Sequence, residues 1–292
     1  MVSWYLISKK RKIGNHIPVL CYHRVLPEFV SRYWSILPEQ FESQLTFLIE
    51  EEFNTLSLTE YERMARGLDP IRERSVLMTF DDGFADNHAI AWKIARKNNI
   101  KINLFICPSY IDKDRPVVMG LNGYIKADSP HQRKLEEEVR PYVRKYPELW
   151  RPLTWKELRE MQDAGVNIGF HSHSHHRLAS LTSQELIADT TAGLAIMERE
   201  LGQRPRFFSL PYGGYNDYNP RVISVLKSLG LDLIFVAHPG RVRLPSRQPV
   251  FPRIQISQQD NLATFRQKIW GVYDWWGEYL QIKHVIKTSL RK

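Results

Sequence analysis

The stretch Val76-Leu77-Met78-Thr79-Phe80-Asp81-Asp82-Gly83-Phe84 carries an apolar run into two adjacent carboxylates, after which a glycine turns the chain away. A short apolar run bounded by a turn signal predicts a buried strand over 76–80. The spacing of Ala89, Ile90, Trp92 and Ile94 predicts a helix over 84–98. Carboxylates at the C-terminal end of a parallel strand lie where open α/β sheets and barrels place their active sites. Neighbouring strand side chains point to opposite sides, so Asp81 and Asp82 are expected to do different jobs, one holding a metal and the other working as a base. Taken alone, an Asp-Asp-Gly is more often a solvated turn.

A second stretch shifts that balance. Val166-Asn167-Ile168-Gly169-Phe170 reads as another strand, and it runs into His171-Ser172-His173-Ser174-His175-His176. A lone histidine is usually structural or solvated, whereas four within six residues at a strand end make a metal-site candidate. A spacing of four would put His171 and His175 on one side of a helical turn. With Asp82 they make a set of two histidines and one carboxylate, which leaves coordination positions open for water and substrate. A third stretch, Phe207-Phe208-Ser209-Leu210-Pro211-Tyr212-Gly213-Gly214, reads as a strand followed by a tight glycine-rich turn.

Together these stretches resemble the polysaccharide deacetylase family, the carbohydrate esterases that share the NodB homology domain, over about 18–256. Thr79-Phe80-Asp81-Asp82-Gly83 is similar to the first family motif, His171-Ser172-x-x-His175 to the second and Pro211-Tyr212-Gly213 to the end of the third. The resemblance implies an α/β fold, a distorted (β/α) barrel of the NodB type with fewer than eight β/α units. It implies a divalent metal, most often Zn2+, on Asp82, His171 and His175. Asp81 would be the general base and the backbone N–H of Tyr212 an oxyanion donor. The implied activity is removal of acetyl groups from N-acetylated sugars of a polysaccharide or lipid-linked glycan. The physics agrees, because a bound cation acidifies water and polarises a carbonyl.

The chain departs from the family in two places. The third motif usually begins with an arginine that orients the base, and Ser209 stands there. The late Leu-x-x-His motif that supplies the general acid has no clean copy after Tyr212. Val19-Leu20-Cys21-Tyr22-His23-Arg24 and Pro252-Arg253-Ile254 resemble motifs of a permuted branch that includes poly-N-acetylglucosamine deacetylases. That branch implies His23 as the acid and Arg253 as the partner of the base. His238, in Val236-Ala237-His238-Pro239-Gly240, is the second candidate acid; His23 ranks first because it ends a predicted strand. The alternative is a catalytically degenerate, glycan-binding member. The intact Asp81, Asp82, His171 and His175 argue against it, and Ser209 keeps it open.

The 292 residues carry a formal charge of +9 with 43% hydrophobic content, ordinary for a globular chain. Regular strand–helix alternation favours one catalytic domain over 18–259, with a long loop at 109–152. It is flanked by a basic, aromatic segment at 1–17 and an amphipathic basic helix at 260–292 packed on the domain. Helix starts are expected at Pro38, at Thr59 with Glu62, at Thr154 with Glu157, and at Thr182 or Ser183 ahead of a stop at Gly202. Lys134 to Tyr146 reads as helical but interrupted by Pro141. Cys21 and Cys107 lie in apolar runs and are expected as buried thiols. In Met1 to Lys12 the basic residues follow the apolar ones, unlike a signal peptide, and no segment is long enough to span a bilayer. A start unlike a signal peptide suggests a cytoplasmic enzyme, and the basic ends suggest one peripheral at an anionic inner membrane face; a frayed, solvated terminus is the other reading of 1–12. No nucleic-acid motif accompanies the charge, so no nucleic acid is expected as a partner.

Overall fold

The computed structural model describes residues 15–30, 34–113, 130–272 and 277. Within them the chain forms β1 (Val19–Tyr22), β2 (Arg24–Val25), β3 (Ser35–Ile36), β4 (Asn54–Leu56), β5 (Ser75–Phe80), β6 (Asn103–Ile106), β7 (Asn167–Phe170), β8 (Phe207–Ser209), β9 (Leu233–Val236), β10 (Val250–Pro252) and β11 (Ile254–Gln255). Nine of these make one sheet in the order β10-β9-β8-β7-β6-β5-β1-β11, with β4 on the first half of β5, and β2 pairs β3 separately. The pairings are parallel. The two edge strands of the large sheet, β10 and β11, are separated in sequence by Arg253 alone. The sheet therefore curls into a nearly closed, distorted (β/α) barrel, and Arg253 stands at its seam.

Every residue of β5 is buried, as in a parallel strand covered on both faces. The two faces join different apolar clusters. Leu77 packs in the barrel interior with Val19, Phe105, Phe207, Phe235 and Phe251. Val76, Met78 and Phe80 pack outward in the layer that the helices cover, beside Phe41, Leu45 and Leu48 of the Pro38–Glu50 helix. By the strand's two-residue period, Thr79 and Asp81 share the inward side with Leu77, and Cys21 and His23 share it with Val19.

Several expectations shift. The helix expected from Thr59 starts two residues earlier, over Leu58–Ala65. Ser57 and Glu60 form its capping box, the same Ser/Thr-x-x-Glu spacing two residues back in the sequence. Thr154–Glu157 and Thr182–Glu185 cap their helices as expected, and Gly202 closes the second at φ 72°. The helix after the aspartates is π-helical over Asn87–Trp92 and α-helical over Lys93–Lys97. The expected loop at 109–152 contains a helix, Pro130–Lys145, that runs through Pro141 instead of breaking there, then a short one, Pro147–Trp150. Of the C-terminal helix expected over 260–292, the described residues show Leu262–Ile269, followed by a turn at Trp270 and Gly271, and residue 277 is again helical. Its Phe265 and Ile269 are buried, with Phe265 edge-on to Phe47 at 5.9 Å. Residues 1–14, most of the tail beyond 272 and part of the expected loop, 114–129, lie outside the described residues. Cys21 and Cys107 are free, buried thiols.

Candidate active site

The inward-facing C-terminal ends of β1, β5, β7 and β8 and the seam residue Arg253 converge on one polar cluster. β5 delivers Asp81, and the turn that follows delivers Asp82 at φ 81° and Gly83 at φ 80°. The backbone thus reverses at once after the strand and aims the two neighbouring carboxylates at different partners.

Asp81 is gripped by Arg253. Nη1 donates to Oδ1 at 2.8 Å and Nη2 to Oδ2 at 2.6 Å, a planar two-point contact that suits guanidinium and carboxylate. Ser209 Oγ also donates to Oδ2, at 3.0 Å, and itself accepts from Arg253 Nη2 at 2.8 Å. The Cys21 thiol points at the same Oδ2 from 3.7 Å. Arg253 reaches further, to Thr79 Oγ1 at 3.1 Å and the Val236 carbonyl at 3.3 Å. Asp81 and Arg253 are 2% and 1% exposed. Burial pushes the Asp81 carboxyl up, and the Arg253 guanidinium outweighs it, leaving the group at about 2. Burial pushes the Cys21 thiol far up, so it stays neutral. Ser209 thus occupies the place of the family's arginine without supplying a charge, while the charge comes across the barrel from the seam.

Asp82 faces the histidines. Its Oδ1 lies 3.3 Å from His171 Nε2 and 3.4 Å from His175 Nε2. The two imidazoles are not on a helical turn. Residues 171–177 are irregular, with Ser172 at φ 61° and His175 at φ 54°. Left-handed residues bend the chain so that the rings meet at 5.0 Å, while the Ser172 hydroxyl accepts from the His175 N–H at 2.9 Å. His171 Nδ1 donates to the Ser209 carbonyl at 2.7 Å. That bond fixes the tautomer, leaving the Nε2 lone pair toward Asp82. Asp82 Oδ1 is buried and finds no aligned hydrogen-bond donor.

The donor atoms of Asp82, His171 and His175 lie within 4.8 Å of one another. One orphaned carboxylate oxygen beside two oriented imidazole nitrogens is a donor set that fits a divalent cation with open positions. Asp81, already satisfied by Arg253, sits alongside, with its Oδ2 3.9 Å from His171 Nε2.

Tyr212 follows Pro211 beyond β8 at φ 62°, its ring edge-on to His175 at 4.6 Å and its hydroxyl donating to the His175 carbonyl at 3.3 Å. Gly213 is required here: a Cβ would stand 2.3 Å from the Ala237 nitrogen. Four of the eight non-glycine residues at positive φ among the described residues belong to this site, namely Asp82, Ser172, His175 and Tyr212. Such backbone is costly and is kept where a site demands it.

The two candidate acids separate. His23 is half-buried, and a ring nitrogen, the Cys21 sulfur and an Asp81 oxygen fall within 4.8 Å of one another. Its Nδ1 has no hydrogen-bond partner, and burial lowers its pKa despite the nearby aspartates. Its backbone is held by Asn87 Nδ2, which donates to the His23 carbonyl at 2.8 Å. His238 instead stacks on Tyr215 at 4.0 Å and meets the Tyr218 hydroxyl at 3.1 Å. It lines a cavity of about 840 Å³ whose lining includes none of Asp81, Asp82, His171 or His175. The sequence assigns Thr79, Cys21 and Asn87 no role in the site, although the alternation of β1 and β5 already puts Cys21 and Thr79 on the inward face.

The E. coli (strain K12) poly-beta-1,6-N-acetyl-D-glucosamine N-deacetylase is 22% identical over 295 residues, covering 90% of this chain and 40% of that protein. The Bacillus subtilis (strain 168) protein YxkH, named as a polysaccharide deacetylase, is 22% identical over 255 residues, covering 87% of this chain and 75% of that one. Among solved structures, the Streptococcus pyogenes deacetylase PplD superposes with a TM-score of 0.68 at 18% identity, covering 87% of this chain and 98% of that one. IcaB from Ammonifex degensii superposes at 0.67 and 22% identity, covering 88% and 96%. These likenesses support the barrel. A family model described as polysaccharide deacetylase matches residues 69–234, more than half the chain and a span that holds Asp81, Asp82, His171, His175 and Tyr212. By that match, with the motif residues gathered in one site, the chain belongs to the polysaccharide deacetylase family.

Proposed function

We propose that the chain is a metal-dependent hydrolase that removes acetyl groups from the N-acetylated sugars of a polysaccharide or lipid-linked glycan. The observation that carries this reading is the convergence of Asp82 Oδ1, His171 Nε2 and His175 Nε2 beside an arginine-held Asp81. Asp82, His171 and His175 would hold the ion, with Zn2+ the expected metal. A cation bound there supplies Lewis acidity toward an acyl oxygen and acidifies water.

The remaining work falls to the chain's own residues. Asp81 accepts the proton of the attacking water; its Oδ1 accepts from Arg253 Nη1, whereas Oδ2 accepts from Arg253, Ser209 and Cys21. Arg253 keeps Asp81 ionised and fixed in direction. The Tyr212 N–H is the donor to the developing oxyanion. His23 delivers a proton to the leaving amine, a role suited to a ring whose Nδ1 is unpartnered. Incubating acetylated glycans with the zinc-loaded protein tests the reading: loss of acetyl mass from the glycan is expected, and binding without any mass change would favour a degenerate glycan-binding member.

A net +9, with basic runs at Lys9-Lys10-Arg11-Lys12 and at Lys283 to Lys292, supports work at an anionic membrane face, where lipid-linked glycans are met. No described helix is long and apolar enough to cross a membrane.

A further inference from the structure

We infer that Trp34 is the stacking platform of a pyranose-binding subsite beside His23. The inference rests on the deacetylase reading and adds to it where the sugar ring lies. Trp34 is 41% exposed, whereas the next two residues, Ser35 and Ile36, are 0% and 1% exposed. Six large apolar side chains are this exposed among the described residues, and of them Trp34 has its ring against a candidate catalytic group. Its indole lies nearly parallel to the His23 imidazole, with centroids 6.2 Å apart and planes at 26°.

The platform is held in place. The Arg24 N–H donates to the Trp34 carbonyl at 3.2 Å, and β2 and β3 continue the pairing through Arg24–Ser35 and Val25–Ile36. Arg24 itself is 1% exposed, bonded through Nε to Asp86 Oδ1 at 2.9 Å and sandwiched between Phe84 at 4.3 Å and Trp150 at 4.1 Å. A ring fixed before the ligand arrives loses little freedom on binding. A tryptophan also offers a large rigid face with a polar edge.

That face matches one ligand class. A pyranose carries hydroxyls around its edge and axial C–H groups on its faces, so it can lie flat on an indole while its polar groups stay wet. The geometry also decides which ring. If His23 protonates the leaving nitrogen, the N-acetylhexosamine that bears it, or the ring next along the chain, must pass the neighbouring indole. The ligand is therefore an N-acetylhexosamine oligomer, with one ring flat on Trp34.

Calorimetric titration with a β-1,6-linked N-acetylglucosamine pentamer tests this without relying on turnover. The zinc-loaded Asp81→Asn protein serves as the parent, so that the ligand survives the measurement. Trp34→Ala and Trp34→Leu in that background should each weaken the pentamer Kd about tenfold or more, a difference of about 1.4 kcal/mol. Trp34→Phe should retain most of the affinity, because it keeps an aromatic face. Leucine controls for apolar bulk and for a mutant that fails to fold. Equal Kd values for the parent and the leucine variant would overturn the inference, as would a phenylalanine variant as weak as leucine, or a parent that does not bind the pentamer. Release of acetate from the pentamer by the unmodified enzyme reports separately on the deacetylase reading, which can fail while the indole still binds the sugar.

Discussion

Arg253 reaches Asp81 from 172 residues away in sequence, across the interior of the barrel, and closes on it with contacts of 2.8 and 2.6 Å. It can do so because β10 and β11 meet at that residue, turning the seam of the sheet into a place from which one side chain points inward. Removing it would leave a buried, unpaired carboxylate, and breaking a buried pair in this way typically costs about 3–5 kcal/mol. Arg253→Ala should therefore lower both thermal stability and activity, the latter by roughly 100-fold or more. Arg253→Lys should recover little, because an ammonium cannot reproduce the planar two-point grip. Ser209→Ala removes one hydroxyl from an oxygen that keeps its charged partner, so its effect should be smaller. Melting curves and kcat/KM for the three variants check this; a serine variant worse than the alanine at 253 would move the orienting role to Ser209.

The ligand set predicts how metal and activity separate. The purified protein should hold about one divalent ion per chain, as three donors with open positions imply. His171→Ala and His175→Ala should lose metal and activity together. Asp81→Asn should keep the metal and lose hydrolysis by a factor on the order of 10² or more. Metal analysis beside rate measurement decides the matter. An Asp81→Asn protein without metal would make Asp81 a ligand, and full metal content in either histidine variant would remove that histidine from the set.

These positions were readable from sequence to very different degrees. Asp81, Asp82 and His171 follow apolar runs and His175 lies in the histidine cluster after the second run, so a local pattern exposes them. Arg253 is reached only through the likeness of Pro252-Arg253-Ile254 to a branch motif, because by composition and period alone an arginine between two short strands looks like any surface residue until the sheet curls and its edges meet there. The helical turn expected for His171 and His175 failed because it assumed ordinary backbone, whereas Ser172 and His175 adopt left-handed conformations that propensity gives no reason to expect of non-glycine residues. The Thr59 start failed more simply: two overlapping Ser/Thr-x-x-Glu patterns were available, and Ser57–Glu60 won.

His23 and His238 differ in what they touch, and the difference is measurable. A general acid matters most when the leaving group is a poor one, such as an amine. His23→Ala should therefore slow amide hydrolysis far more than hydrolysis of an acetyl ester with a good leaving group. His238→Ala, stacked on Tyr215 beside a separate cavity, should affect the amide less. An equal His23 defect on both substrates would point to a structural role.

The wall of the site nearest Gly83 should show a defined acid dependence. The Leu153 N–H donates to the Gly83 carbonyl at 2.9 Å, and the helix that follows is capped by Thr154 and Glu157. Glu157 accepts from the Thr154 N–H at 2.9 Å and from Arg151 at 2.5 and 2.8 Å. Burial raises its carboxyl, but Arg151 and Thr154 outweigh this and bring it to about 2. A depressed acid stabilises the fold above its unfolded pKa of about 4.3 and loses that contribution as pH falls from there through about 2. Glu157→Gln should thus destabilise by about 1 kcal/mol or more near neutral pH, with the gap to the parent narrowing between about pH 4 and 2. Thermal melts across that range test it, and a gap independent of pH would mean the glutamate acts only by shape.

The charge of the chain sets the final prediction. Each lysine or arginine near an anionic bilayer contributes about 1 kcal/mol, and the attraction fades within a screening length of about 10 Å at 0.1 M salt. Two basic runs, at 9–12 and 283–292, together with aromatic residues at Trp4, Tyr5, Trp275, Trp276 and Tyr279, would bind such a surface weakly one at a time and more firmly together, since a second attachment on the same molecule is effectively intramolecular. The protein should therefore sediment with anionic vesicles at low salt and be released at high salt. Deleting residues 1–12, or those after 279, should weaken sedimentation while sparing activity on a soluble acetylated sugar. Neutral vesicles should capture much less, because the basic residues would find no surface charge to meet. A full-length protein that ignores anionic vesicles even at low salt would leave a deacetylase whose charge serves some other purpose, and the lipid-linked substrate would lose its support.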